Sequence, residues 1–205
     1  WSNYNRIMLS PVLSDDKTIE DIMLHSHAWY QDKNIRFVAG DAAVRIDRPR
    51  KQVYTAKGVV IDYDRLILAT GSKPFIPPIS GADLKGVLSF RDIYDVNSML
   101  DYCKSKKNAV VIGGGLLGLE AAYGLKQRGM NVTVLHLMDR IMDRQLDKKA
   151  SLMLKNAIEQ KGITILTGAN TQELIGEDGH VKQLRLQDGT VLDADLVVFA
   201  VGIRP

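Results

Sequence analysis

The chain has 205 residues, 45% hydrophobic and 25% charged, with a net charge of +3. That is enough for one large domain or two small ones, with an ordinary globular composition and too little net charge to argue for nucleic acid. No apolar run approaches the roughly 18 residues of a membrane span, the first residues carry no signal-peptide pattern, and the single cysteine, Cys103, excludes an internal disulfide or a Cys-x-x-Cys pair. A cytoplasmic protein is the simplest expectation. The four histidines and one cysteine show no ligand spacing, so metal or iron–sulfur ligation by this chain alone is not expected.

In chain order, residues 18–31 place Ile19, Ile22, Met23 and Trp29 near helical spacing, which predicts a helix. Residues 37–47 and 52–62 predict two strands of a small antiparallel meander. The run from Asp62 to Pro74 has acids, a continuous apolar stretch, and then Ala69-Thr70-Gly71-Ser72-Lys73-Pro74. This pattern predicts a buried parallel strand and its turn. Residues 73–81 hold three prolines and Gly81, a stiff linker and the best boundary candidate. Beyond it the pattern predicts a helix at 93–104, a strand at 109–113, a helix at 115–128 stopped by Gly129, a strand at 132–137, a helix at 147–161, and strands near 163, 181, 190 and 196. Alternating strands and helices imply an α/β fold: a Rossmann-like parallel sheet with helices on both faces and a β-meander.

The chain also repeats itself. Asp193 to Pro205 reads like Asp62 to Pro74, and residues 162–168 read like residues 34–40. Two copies of one supersecondary unit follow, at 1–90 and 91–205. The second copy opens with Val110-Val111-Ile112-Gly113-Gly114-Gly115-Leu116-Leu117-Gly118. The matching stretch of the first copy would fall before Trp1, so the chain is expected to be a piece of a longer protein.

Gly113-x-Gly115-x-x-Gly118 follows an apolar strand and opens a helix. There the three glycines give a tight turn, a close approach for a pyrophosphate, and close packing of helix on strand. The helix start offers free N–H groups and a positive dipole end to phosphate. Dinucleotide binding is the expectation. The acid usually found about 20 residues on, for the adenosine ribose, is replaced by His136, with Asp139, Arg140 and Arg144 following. This leaves the cofactor's phosphate state open. Glu120 either complements the helix dipole or reaches the nicotinamide end. His25, His27 and His180 are expected to be solvated surface positions.

With these residues in view, the chain resembles the two-dinucleotide-domain flavoprotein oxidoreductases, in which an NAD(P) domain is inserted into an FAD domain. The resemblance covers essentially the whole chain. It is most specific at Tyr4-Asn5-Arg6-Ile7-Met8-Leu9-Ser10, at residues 113–122, and at His136-Leu137-Met138 with Arg144-Gln145-Leu146-Asp147. It implies residues 1–90 as an incomplete FAD-type domain and 91–205 as an NAD(P)-binding domain. Arg6, Leu9 and Ser10 would lie near the flavin. Ala43 and Val44 would contact the flavin's adenosine, and Thr70 and Gly71 would form the flavin-side turn. Gly113, Gly115, Leu116, Leu117, Gly118, Glu120, His136 and Gly202 would form the nicotinamide nucleotide site. Pro11 stands where relatives that reduce peroxides or disulfides carry a cysteine, which sets that chemistry aside.

The resemblance also implies NAD(P)H and FAD as cofactors and an electron-input role, with no obligatory protein acid or base. Electrons would pass to a siroheme and iron–sulfur domain, or a small subunit, outside this chain. A rubredoxin- or ferredoxin-reductase-type role, or nucleotide binding without turnover, are the competing expectations.

Overall fold

The computed structural model describes all of residues 1–205. The chain divides into two compact units: Trp1–Asn5 with Met23–Gly71, and Arg6–Ile22 with Ser72–Pro205. One break between the units falls at 71/72, and the early segment Arg6–Ile22 belongs with the later part of the chain. The proline-rich stretch 73–81 therefore lies inside the second unit.

The early segment forms a 3-10 turn, Arg6–Met8, and then α1 (Leu9–Leu13), which buries Leu9, Val12 and Leu13. Pro11 sits in the first turn of α1, where its missing N–H has no helical partner to lose. The expected helix over 18–31 is not continuous. It is a 3-10 turn at Glu20–Ile22 and a separate α2 (His27–Asp32). Two local bonding patterns break it. The Thr18 N–H donates to Asp21 Oδ2 while the Asp21 N–H donates back to Thr18 Oγ1. Ser26 then caps α2, accepting from the Trp29 N–H at 3.2 Å. Short polar side chains bonding to nearby backbone compete with helix in this way.

In the first unit, β1 (Ala43–Asp47), β2 (Gln52–Thr55) and β3 (Val60–Asp62) form an antiparallel meander in that order, the strand expected over 52–62 being two strands joined by a turn. Its first strand starts at 43 rather than 37. The ladder skips Val44, a bulge. His25 is not merely solvated: its ring stacks on Trp29 at 3.9 Å, and His27 meets Phe37 edge-on at 5.3 Å. The apolar run after Asp62 is not a buried strand either. Ile67 is 88% exposed, and no strand forms there. A buried parallel strand needs a parallel sheet to join, and this unit has only the antiparallel meander.

The second unit continues with β4 (Lys73–Pro74), β5 (Val87–Ser89), α3 (Ile93–Cys103), β6 (Asn108–Ile112), α4 (Leu116–Gln127), β7 (Asn131–His136), α5 (Lys148–Glu159) and β8 (Ile163–Thr167). It ends with β9 (Thr171–Glu177), β10 (His180–Leu186), β11 (Val191–Asp193), β12 (Leu196–Phe199) and β13 (Ile203–Arg204). A five-stranded sheet has the order β5-β12-β6-β7-β8, and every pairing in it is parallel. The links through α3, α4 and α5 all step in one direction along it. Right-handed crossovers therefore place these helices on one face. The antiparallel sheet β11-β10-β9 covers the other: Leu174, Val181, Leu184 and Leu186 pack with Val110, Leu135, Val197 and Phe199. The helices thus lie on one face rather than both, and the meander takes the second.

Four strands escaped the sequence pattern: β5, β9 and the two-residue β4 and β13. β9 had a readable signal. Asp178-Gly179 joins it to β10 with φ of 50° and 74°, the paired positive values of a type I′ hairpin turn. β4 pairs with β13 through Pro74 and Ile203, tying the proline-rich stretch to the end of the chain described.

α1 is held to the second unit by Arg128. Its guanidinium donates to the carbonyls of Leu13 at 2.8 Å and Val12 at 3.0 Å, and pairs with Asp15 at 3.0 Å. A cation at a helix C-terminus satisfies carbonyls that have no helical partner.

Candidate functional site

β6 ends at Ile112, and the chain turns sharply at Gly113, where φ is +125°. A Cβ at Gly113 would run into the Ala200 carbonyl, and one at Gly118 into the Gly113 carbonyl. Those two glycines let strand and helix approach. Gly115 is different. Its backbone is extended, with φ −85° and ψ 179°, and a Cβ there would meet nothing within 4 Å. The fold does not require the glycine; it leaves open ground above the turn.

Gly115 is also the N-cap of α4, and no side chain caps it. By contrast, Asp92 caps α3 and Asp147 caps α5. The first N–H groups of α4 therefore face outward without a side-chain acceptor, at the positive end of the helix. The sheet places this end at β6, beside β12, where the strand order reverses. Open α/β sheets bind ligands at that switch, beyond the carboxyl ends of the strands. A cleft of about 180 Å³ opens there between Gly115, Leu116 and Leu117 on one side and Phe90, Arg91 and Gly202 on the other. A larger groove, about 510 Å³, lies elsewhere between the end of α3 and the β9–β10 hairpin. It sits by Asp195, at the amino ends of the strands, away from the switch point.

His136 ends β7 but faces inward. The Gly114 N–H donates to its Nδ1 at 3.1 Å, and its Nε2 lies 3.0 Å from Asp143 Oδ1. A backbone N–H can only donate, so Nδ1 accepts and the ring proton sits on Nε2, toward Asp143. The Met142 N–H donates to the Gly114 carbonyl at 2.9 Å. Both polar groups of the Gly114 peptide are thus held by residues from the end of β7 and the loop after it. A Cβ at Gly114 would come within 2.9 Å of the His136 ring and Ile141. His136 braces the turn from the end of β7. Its replacement by alanine leaves a part-buried N–H without its partner, a cost of about 1–3 kcal/mol. His136→Ala is expected to weaken nucleotide binding about tenfold, and His136→Asn, whose Oδ1 can accept the same bond, to restore most of it. Titration calorimetry on both variants checks this; equal binding by parent and His136→Ala would show that the turn needs no brace.

Glu120 is the fifth residue of α4, past the first turn, and no acid occupies that turn. Its Oε2 instead accepts from Ser10 Oγ at 2.6 Å, a bond between α4 and α1. Glu120 therefore lies past the turn in which an acid complements the helix dipole, and its carboxylate is tied to α1. Ser10, Glu120, Gly202 and the glycine turn all lie in the second unit. Leu9 is buried against that unit, and Arg6 is exposed. Ala43, Val44, Thr70 and Gly71 belong to the first unit, where all four are exposed. Sequence reasoning missed Gly114, Arg91, Phe90 and Asp143.

The chain matches the family "Pyridine nucleotide-disulphide oxidoreductase" over residues 2–205. It is 52% identical over 203 residues to the nitrite reductase [NAD(P)H] of Bacillus subtilis (strain 168), covering 99% of this chain and 25% of that protein. It is 43% identical to the assimilatory nitrate reductase electron transfer subunit of the same organism, covering 99% of this chain and 26% of that one. The chain thus spans about a quarter of the length of these curated relatives. Its structure is similar to that of a ferredoxin reductase from Rhodopseudomonas palustris, with a TM-score of 0.91 and 31% identity, over 100% of this chain and 50% of that one.

Proposed function

The chain belongs to the pyridine nucleotide-disulphide oxidoreductase family, and from that premise we propose that it is the NAD(P)H-binding, FAD-dependent electron-input part of a nitrite reductase large subunit. The observation that carries this reading is the open corner at Gly115. Glycine stands there with no fold-internal reason, at an uncapped helix start, on the switch point of a parallel sheet. A pyrophosphate needs that combination: room for close approach, N–H donors and a positive dipole end. In the proposed site Gly113 and Gly118 shape the turn, Gly115, Leu116 and Leu117 receive the pyrophosphate, and Gly202 borders the nicotinamide half.

When bound, the nicotinamide supplies a hydride and the flavin accepts it; this chemistry is the cofactors' own. The protein's part is to hold and orient. For the flavin, Arg6, Leu9, Ser10, Ala43, Val44, Thr70 and Gly71 remain the proposed contacts. The exposed Val44, Thr70 and Gly71, and the bare Ile67 and Leu68, fit a surface that a large planar cofactor covers. Siroheme and iron–sulfur centres would be held elsewhere in the full protein, where nitrite would be reduced to ammonium. The 52% identity to a nitrite reductase supports this branch over a ferredoxin-reductase role. No helix is long and apolar enough to cross a membrane.

The test is direct binding. Titration of the 205-residue chain with NADH and with NADPH is expected to give 1:1 binding of at least one, and a visible spectrum reports any retained flavin. Absence of binding by both nucleotides would overturn the reading.

A further inference from the structure

The cleft has one cation, and the fold holds it in place without neutralising it. Arg91 follows β5, the edge strand beside β12. Its backbone N–H donates to Asp95 Oδ2 at 2.6 Å. Asp95 is a fixed anchor. It also accepts from the Ser89 hydroxyl at 3.0 Å and closes the capping box of α3 with Asp92. Burial pushes the Asp95 carboxyl above the usual carboxylate range, against the Ser89 and Arg91 hydrogen bonds, which favour the anion.

At the other end of Arg91, Nη2 donates to Ser72 Oγ at 2.7 Å. A guanidinium has five N–H donors, and Ser72 is the one protein acceptor found for its side chain. None of the ion pairs in the structure involves Arg91. The nearby carboxylates of Asp92 and Asp95 are turned to backbone N–H groups. A half-buried guanidinium, tethered at one N–H and lining a cleft with its other donors unmatched, is arranged for an acceptor that arrives with a ligand.

Resting on the proposed dinucleotide site, we infer that Arg91 is a binding residue for the nicotinamide-ribosyl half of the nucleotide, donating to its carboxamide and ribose oxygens. The sheet order decides which half. The pyrophosphate sits at the start of α4, after β6. The adenosine half runs toward β7, where such sites read the adenosine ribose. The opposite half then crosses β12 toward β5, where Arg91 stands. Ser72 acts through Arg91, fixing the plane of the guanidinium.

Titration calorimetry of the 205-residue chain with NADH and with ADP separates the two halves, because ADP carries the adenosine and the diphosphate but no nicotinamide. Arg91→Ala is expected to weaken NADH about tenfold or more, the loss of a hydrogen bond from a charged donor, and to leave ADP within about twofold. Ser72→Ala should show the same selectivity at about threefold. Arg91→Lys, which keeps the charge but not the planar fork, should fall between; if Arg91→Ala does not fold, these two variants carry the same comparison. Equal losses for NADH and ADP would place Arg91 on the pyrophosphate and overturn the assignment, as would no loss for either. A parent chain that binds ADP and NADH equally tightly, with Arg91→Ala unchanged, rejects the assignment while sparing the nucleotide site. A parent that binds neither rejects both.

Discussion

Gly115→Val is expected to weaken NADH and NADPH binding about a hundredfold or more, roughly 2.7 kcal/mol, while the protein stays folded. In the folded chain the new side chain meets nothing: no atom lies within 4 Å of a Cβ at that position. The extended backbone, φ −85° and ψ 179°, suits a β-branched residue. What is lost locally is glycine's modest advantage as a helix N-cap, about 1 kcal/mol at most, or a few degrees in the unfolding midpoint. Binding suffers because the branched side chain stands where the pyrophosphate must meet the backbone. Calorimetric titration beside a thermal melt measures both effects. A variant that binds as well as the parent would show that the phosphates lie elsewhere.

Three residues along, the balance reverses. Gly118→Ala places its Cβ against the Gly113 carbonyl and 3.3 Å from the Ala200 side chain. Both obstacles belong to the strand ends, so α4 must lift from β6 to make room. Alanine gains up to about 1 kcal/mol in helix propensity over glycine. Forcing a methyl into packed backbone costs about 1–3 kcal/mol, occasionally more, and here the neighbour is a carbonyl that cannot rotate away. The clash wins. Gly118→Ala is expected to lose about 2 kcal/mol of stability, net, and nucleotide binding with it. Urea unfolding followed by circular dichroism measures the first and titration the second. Unchanged stability would mean that α4 has slack against the sheet. The pair of variants separates two uses of glycine that look identical in the motif: one opens space for a ligand, the other closes space within the protein.

The site was legible where chemistry follows from strictly local pattern. A strand, a glycine turn and a helix in succession located the turn from 113 to 118, and the structure has that succession. The repeat located the second turn at Gly202. What failed depends on partners distant in the chain. The direction of His136, at the end of β7, is set by Asp143 and by the Gly114 N–H. Arg91 was invisible because β5 is a three-residue strand whose pairing partner, β12, lies more than a hundred positions away. The run through Ile67 looked like the buried β12 in composition; burial depends on a sheet that one segment cannot announce. The break between residues 18 and 31 is local, and its signals are in the sequence: Thr18-x-x-Asp21, and Ser26 three residues ahead of Trp29.

The docking of α1 on α4 has a consequence for how this protein comes into being. Ser10 finds Glu120 across 110 positions, and Arg128 reaches back to Leu13 across 115. On a ribosome adding about 5–20 residues per second, α1 emerges roughly 5–25 s before the helix that covers it. During that interval Leu9, Val12 and Leu13 have no α4 to bury them. Contacts this distant in sequence also slow the search, because loop closure must be met before they stabilise anything. The tie between the two helices is thus a late event in biogenesis, and until α4 emerges the apolar face of α1 is without the cover that α4 gives it.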